Sequence, residues 1–263
     1  SSGGDSADRT EQENAAKDGA SQESGEETEI LVAAAASLEY AYEEELIPMF
    51  EEQNPGVAVK GTYDSSGKLQ TQIEEGLEAD VFMSAATQQM DALTEEGFID
   101  GDSVKDLLEN QIVLITSADN ELGLAEFTDI TKADTIAIGD PASVPAGQYA
   151  REVLTNLRIW DEVLAKSSLG TNVTEVLNWV AEGSADAGIV YSTDALTENS
   201  NGDDKKVTVL ATADDSMMET PVIYPVGITT STTRKEAAQT LEDFLQSEEA
   251  MNVFVEAGFT ANK

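Results

Sequence analysis

Residues 29–76 read EILVAAAASLEYAYEEELIPMFEEQNPGVAVKGTYDSSGKLQTQIEEG, and the punctuation of this stretch decides the fold. Residues 29–36 are a short unbroken apolar run, the pattern of a buried strand. A helix follows from Ser37 and stops at Asn54, Pro55 and Gly56. Residues 57–63 form a strand, and 67–76 a second helix closed by Gly76. Strand, helix, strand, helix with short links is the signature of a parallel sheet flanked by helices.

The alternation continues outward. Residues 79–85 and 111–117 read as strands, with a helix at 87–97 ended by Gly97. A second system begins with a strand at 134–141. It continues with a helix at 145–157 opened by Pro145, and a helix at 172–183 closed by Gly183. A strand at 185–195 leads into a short turn, and another strand spans 205–212. Residues 220–230 form a strand interrupted by Pro225, which places it at an edge or a bend. Helices at 232–246 and 248–257 close the chain. The expected fold class is α/β. Two lobes, each a mostly parallel sheet flanked by helices, are joined by segments near 111–117 and 220–226, with a ligand cleft between them. The expected boundaries are 29–114 with 224–263 for one lobe and 115–223 for the other.

Charge and composition exclude whole classes of function. The 263 residues include 52 acidic and 14 basic ones, a net charge of −38. Nucleic acid needs clustered Lys and Arg and is not an expected partner. An anionic membrane surface is disfavoured for the same reason. There is no cysteine and no histidine. That removes disulfides, thiolate chemistry, the usual general base and the commonest transition-metal ligand. No apolar run is long enough to span a bilayer as a helix. Residues 1–28 carry 8 acidic and 2 basic residues and almost nothing large and apolar. They read as a disordered, solvated linker. Their start, Ser-Ser-Gly-Gly, resembles the segment that follows the lipidated cysteine of a bacterial lipoprotein. The flexible tail of another exported protein fits it nearly as well.

Four junctions stand where ligands bind in open α/β sheets, at strand ends beside helix N-termini. They are Ala36-Ser37, Ser65-Ser66-Gly67, Pro145-Ala146-Gly147 and Asn172-Val173-Thr174. Each alone is best read as a cap or a turn, Ser37 as an N-cap among them. Together they carry small or neutral residues at four helix starts. A helix N-terminus offers unpaired N–H donors and about half a positive charge. Several converging on one point would hold a compact anion without Lys or Arg.

Longer blocks carry a resemblance. AAASL (34–38), YDSSGKLQTQIEEG (63–76), ADVFMSA (79–85), GDPASVPAGQYAREVL (139–154), GIVYSTDA (188–195), YPVGI (224–228) and EAGFT (256–260) occur in order. The chain resembles the periplasmic-type molybdate-binding proteins, the solute-binding components of molybdate ABC importers, from about residue 29 to its end. The resemblance implies a two-lobed periplasmic-binding-protein-like fold, no enzymatic activity and no cofactor. The ligand would be molybdate or tungstate, held by neutral hydrogen bonds. The partner would be the membrane permease of an ABC importer. Carried over by motif, the ligand residues are Ser37 and Ser66 as the serines of their blocks, Ala146 and Val173 (the valine after TN in the short stretch TNVTEVL, 171–177) through backbone N–H, and Tyr191 through its phenol. Tyr191 was not among the junctions and by itself reads as an aromatic packed at a strand end. The expected protein is an extracytoplasmic monomer, anchored to the outer face of the cell membrane by a lipidated cysteine preceding Ser1.

This chain departs from the family pattern at Asp64 and Gly67, where a further serine or alanine occurs in relatives. An aspartate beside an oxyanion would repel it, so Asp64 is expected to point away, and Lys68 to face solvent or help draw the anion in. The same fold binding another oxyanion, such as sulfate, is the alternative. Ferric iron is disfavoured by the lack of histidine. A carboxylate-pair hydrolase built on Glu43, Glu44 and Glu45 is disfavoured because that run reads as a solvated helix face.

Overall fold

The computed structural model of the protein describes residues 27–200, 202 and 204–262. The linker expected at 1–28 lies outside them except for Glu27 and Thr28, and Thr28 already opens the first strand.

Two sheets organise the described residues. The first contains β1 (Thr28–Ala35), β2 (Val57–Asp64), β3 (Val81–Met83), β4 (Lys105–Glu109), β10 (Ile223–Ile228) and β11 (Thr260–Ala261), in the order β11-β4-β10-β3-β1-β2. The second contains β5 (Ile112–Ser117), β6 (Ile136–Gly139), β7 (Ser167–Gly170), β8 (Ala187–Tyr191) and β9 (Val207–Thr212), in the order β7-β6-β8-β5-β9. The class is α/β, and both sheets are mixed. Each has a set of three parallel strands, β2-β1-β3 or β7-β6-β8, bordered by an antiparallel strand, β10 or β5. Those two strands adjoin the points where the chain changes sheet, at Asn110–Gln111 and across residues 213–222.

The helices run α1 (residues 36–53), α2 (Ser66–Glu74), α3 (Thr87–Glu95), α4 (Pro145–Asn156), α5 (Trp160–Leu164), α6 (Val173–Ala181), α7 (Ser192–Ser200), α8 (Lys235–Leu245) and α9 (Glu248–Glu256). α1 changes pitch along its length, from a 3₁₀ turn at Ala36–Leu38 through a π segment at Ala41–Leu46 to α-helix at Ile47–Gln53. β1 explains the apolar run that opened the sequence reading. Ile30, Val32 and Ala34 join the main core, while Ala33 packs with Leu69, Phe82 and Leu93 on the other face. A strand covered on both sides needs no polar alternation.

Of the two places expected for Pro225, an edge or a bend, the structure rules out the edge, because β10 is an interior strand. The ladder to β4 shifts register between Tyr224 and Pro225, so the missing proline N–H falls at an irregularity. The Pro225 carbonyl still accepts the Ser84 N–H at 3.0 Å. The segment after Tyr191 is a helix, α7, and not a short turn. Strands β4, β7 and β11, with sequences KDLLE, SSLG and TA, and the helix α5 are additions to the reading.

Glu242 on α8 is a polar exception in the core. It is 1% exposed, and both carboxyl oxygens are buried without a hydrogen-bond partner. Burial, foremost, pushes its pKa up to about 7. A carboxyl whose folded pKa is raised stabilises fully below its unfolded value, and that contribution is lost as pH rises through the folded value. Glu242→Gln is therefore expected to match the wild type near pH 4 and to exceed it by about 3 kcal/mol above pH 8. Urea denaturation at the two pH values checks this, and equal differences at both would refute it.

Candidate anion-binding site

Ser37, Ser66, Ala146, Val173 and Tyr191 line one small cavity of about 10 Å³ between the two sheets. Each stands at the carboxyl end of a parallel strand. Ser37 follows β1, Ser66 follows β2, Ala146 follows β6, Val173 follows β7, and Tyr191 is the last residue of β8. Small-molecule pockets usually measure roughly 300–1,000 Å³. This one lies far below that range and is too small for a metabolite.

Local sequence shapes each donor. α2 is capped by Ser65, whose Oγ accepts the Lys68 N–H at 3.2 Å. The Ser66 hydroxyl is therefore not needed as a cap. Its Oγ accepts the Ala85 N–H at 3.0 Å, which leaves its own proton to donate. α4 starts with Pro145 after Val144, with no side-chain cap, so no capping group competes for its first-turn amides. Gly147 seats that turn on β6, because a Cβ there would overlap the Gly139 carbonyl. At α6, Asn172 Oδ1 accepts the Glu175 N–H at 2.9 Å, and Glu175 accepts the Thr171 N–H at 3.0 Å. Neither bond uses the Val173 amide.

Ser37 is not the N-cap that its sequence suggests. It lies inside the 3₁₀ turn, whose cap position is Ala35, and its Oγ is 2.8 Å from the Tyr224 hydroxyl. Tyr191 is 1% exposed, and its phenol oxygen has no hydrogen-bond partner among the described residues. Burial, first of all, raises its pKa well above the ordinary tyrosine value, so it stays a neutral donor. A buried polar group left unpaired costs about 1–3 kcal/mol, which an acceptor in the cavity would recover. The Tyr149 and Tyr224 rings hold it edge-on, at 6.5 and 5.7 Å between centroids.

Asp64 turns aside as expected. Its Oδ1 accepts the Ser65 N–H at 2.8 Å, and its Oδ2 pairs with Lys68 at 3.1 Å. No ionisable side chain lines the cavity except the Tyr191 phenol. Larger depressions nearby are acidic and unsuited to an anion. One of about 340 Å³ shares Ala36 and Ser37 but adds Glu39, Glu43, Glu44, Asp194 and Glu198.

The two halves meet around the cavity. The Gly67 N–H donates to the Ser143 carbonyl at 2.8 Å, and the Tyr149 hydroxyl donates to the Ala85 carbonyl at 3.0 Å. Sequence reasoning gave no role to three buried residues beside the site. Asp194 Oδ2 accepts the Tyr191 N–H at 2.9 Å, and burial pushes this carboxyl up to about 7. Tyr224 and Asn110 form a hydrogen-bonded pair behind Ser37. Tyr224 lies in the YPVGI block, the one signal that pointed toward it.

Comparison with known proteins follows the same lines. The sequence pattern of the bacterial extracellular solute-binding proteins matches residues 30–260. The chain is 37% identical over 243 residues to a Bacillus subtilis (strain 168) protein assigned as the ABC transporter substrate-binding lipoprotein YvgL, covering 92% of this chain and 90% of that one. It is 36% identical to the molybdate-binding protein ModA of Haemophilus influenzae, covering 88% and 90%. A solved structure assigned as the substrate-binding domain of a molybdenum ABC transporter from Clostridium difficile superposes with a TM-score of 0.67. It shares 37% identity and covers 90% of this chain and 100% of that one.

Proposed function

The chain belongs to the bacterial extracellular solute-binding protein family, and we propose that its solute is molybdate, with tungstate bound equally well. As a member of that family it is a binding protein and not an enzyme. The observation that carries the ligand class is the Tyr191 phenol, buried and unpartnered in a neutral cavity ringed by helix starts. The names of the relatives support molybdate within that class.

In this reading the oxyanion is gripped by hydrogen bonds alone. Ser37 and Ser66 give hydroxyl protons, Ala146 and Val173 give backbone N–H groups, and Tyr191 gives its phenol proton. The helix N-termini supply positive potential without a cation. We take the lobes as expected from sequence, 29–114 with 224–263 and 115–223; the chain passes from the first sheet to the second at residues 110–111. Closure of the lobes shields the bound anion from water. The closed protein, a monomer, then delivers it to the membrane permease of an ABC importer. A lipid anchor upstream of Ser1 would keep it at the outer face of the membrane, as the name of the B. subtilis relative suggests.

Two measurements test this. Molybdate or tungstate at a thousand times its Kd adds about 4 kcal/mol to stability, a clear rise in Tm. No rise with either anion would overturn the reading. Tyr191→Phe is expected to keep the fold and weaken molybdate binding about ten- to hundredfold, the worth of one hydrogen bond to a charged group. Unchanged calorimetric affinity would remove Tyr191 from the site.

A further inference from the structure

The structure assigns a positioning role to Tyr224 and Asn110, which form a one-way hydrogen-bond relay that makes Ser37 a dedicated donor to the anion. The inference rests on the oxyanion reading above and deepens it, since it concerns how the site rejects protonated anions.

The direction of the relay follows from its anchor. Asn110 Oδ1 accepts the Gln111 N–H at 2.8 Å, so the amide nitrogen must face the other way. Asn110 Nδ2 then donates to Thr193 Oγ1 at 2.9 Å and to Tyr224 Oη at 3.1 Å. Tyr224 is 0% exposed and has one phenol proton. With its oxygen already accepting from Asn110, that proton is directed to Ser37 Oγ, 2.8 Å away. The reverse arrangement, with Ser37 donating to Tyr224, would leave the phenol proton no neighbour but the Tyr191 phenol, with which it makes no hydrogen bond. Ser37 thus accepts from Tyr224, and its only proton is left for the cavity that it lines.

The relay also joins the two halves. Asn110 sits where the chain passes from β4 to β5, and its amide N–H groups reach one residue of each half. Thr193 follows β8 of the second sheet, and Tyr224 belongs to β10 of the first. Donor orientation at Ser37 is therefore fixed from the crossing point itself. A serine without this backing can rotate and accept a proton as readily as it gives one. A site meant for fully deprotonated anions gains from removing that freedom.

The test is a double-mutant cycle read by calorimetry near neutral pH, with molybdate and hydrogen arsenate as probes. Tyr224→Phe keeps the ring and removes the relay proton. It should weaken molybdate about two- to tenfold and narrow the molybdate-to-arsenate preference by at least that factor. In a Ser37→Ala background the same change should have little further effect on molybdate, because the residue it acts through is gone. Strictly additive losses, or an unchanged anion preference in Tyr224→Phe, would overturn the relay while leaving the functional reading standing. A wild-type protein that binds no oxyanion would overturn both.

Discussion

Gly67→Ala is expected to leave the fold intact and to lower molybdate affinity by about a hundredfold or more. Gly67 stands in the first turn of α2, where alanine is the better helix former by up to about 1 kcal/mol. The apo protein should therefore be no less stable than the wild type. The cost lies across the cavity. A Cβ on Gly67 would lie 2.6 Å from Ser143 Cα and closer still to the Ser143 carbonyl. Both are backbone atoms, so no rotamer change relieves the overlap, and the two halves must separate. Separation breaks the Gly67–Ser143 hydrogen bond and draws the donors of the first half away from those of the second. Losing two or three hydrogen bonds to a charged ligand costs roughly 3–9 kcal/mol, hence the size of the effect. Calorimetry gives the affinity, and small-angle scattering should show a more open particle in the presence of molybdate. Wild-type affinity in a stable Gly67→Ala protein would mean that this contact plays no part in closure.

Gly67 also shows what the sequence disclosed and what it withheld. The sequence marks it as part of a helix-start junction and as a departure from the family pattern, but not as a contact across the cavity, since its neighbour Ser143 is 76 positions away and enters through tertiary packing. Local signals did better. Gly76, Gly97 and Gly183 ended helices in the sequence reading, and all three have positive φ, 109°, 84° and 80°, at helix C-termini. The apolar run of β1 told its own story because both faces are covered. β4 was invisible because KDLLE carries three charges in five residues, and its place between β10 and β11 is set by partners far along the chain. α7 was missed because STDALTENS has no apolar stripe to announce a helix. Four of the five cavity residues lie in the longer motif blocks, and Val173 in the short stretch TNVTEVL. The four junctions among them were also marked by physical reasoning about strand ends. Tyr191 and Tyr224 had no such mark, since an unpaired or relayed hydroxyl is a property of the folded surroundings and not of the residue.

The largest discrimination is expected among the oxyanions themselves. Molybdate and tungstate should bind alike, sulfate far more weakly, and hydrogen phosphate hardly at all. In the proposed reading the cavity presents donors: hydroxyl protons at Ser37, Ser66 and Tyr191, and amide protons at Ala146 and Val173. No carboxylate, carboxamide or imidazole side chain lines it. Molybdate and tungstate are unprotonated dianions near neutral pH, so each of their four oxygens accepts. Phosphate retains at least one proton there, and that proton would meet donors only, at a cost of about 1–3 kcal/mol for the unsatisfied contact. Sulfate passes the proton test but is smaller, so donors placed for longer metal–oxygen bonds cannot all reach it. The net charge of −38 does not reverse this order. It acts at long range, is screened beyond about 8 Å in physiological salt, and weighs on every dianion alike. Charge should instead slow the encounter, so association should quicken as salt is added while the ranking stays fixed. Competition calorimetry near pH 7 with the four anions measures the order directly. Hydrogen phosphate bound as tightly as molybdate would reveal a proton acceptor in the cavity, and the assignment of a bare dianion as ligand would fall with that result.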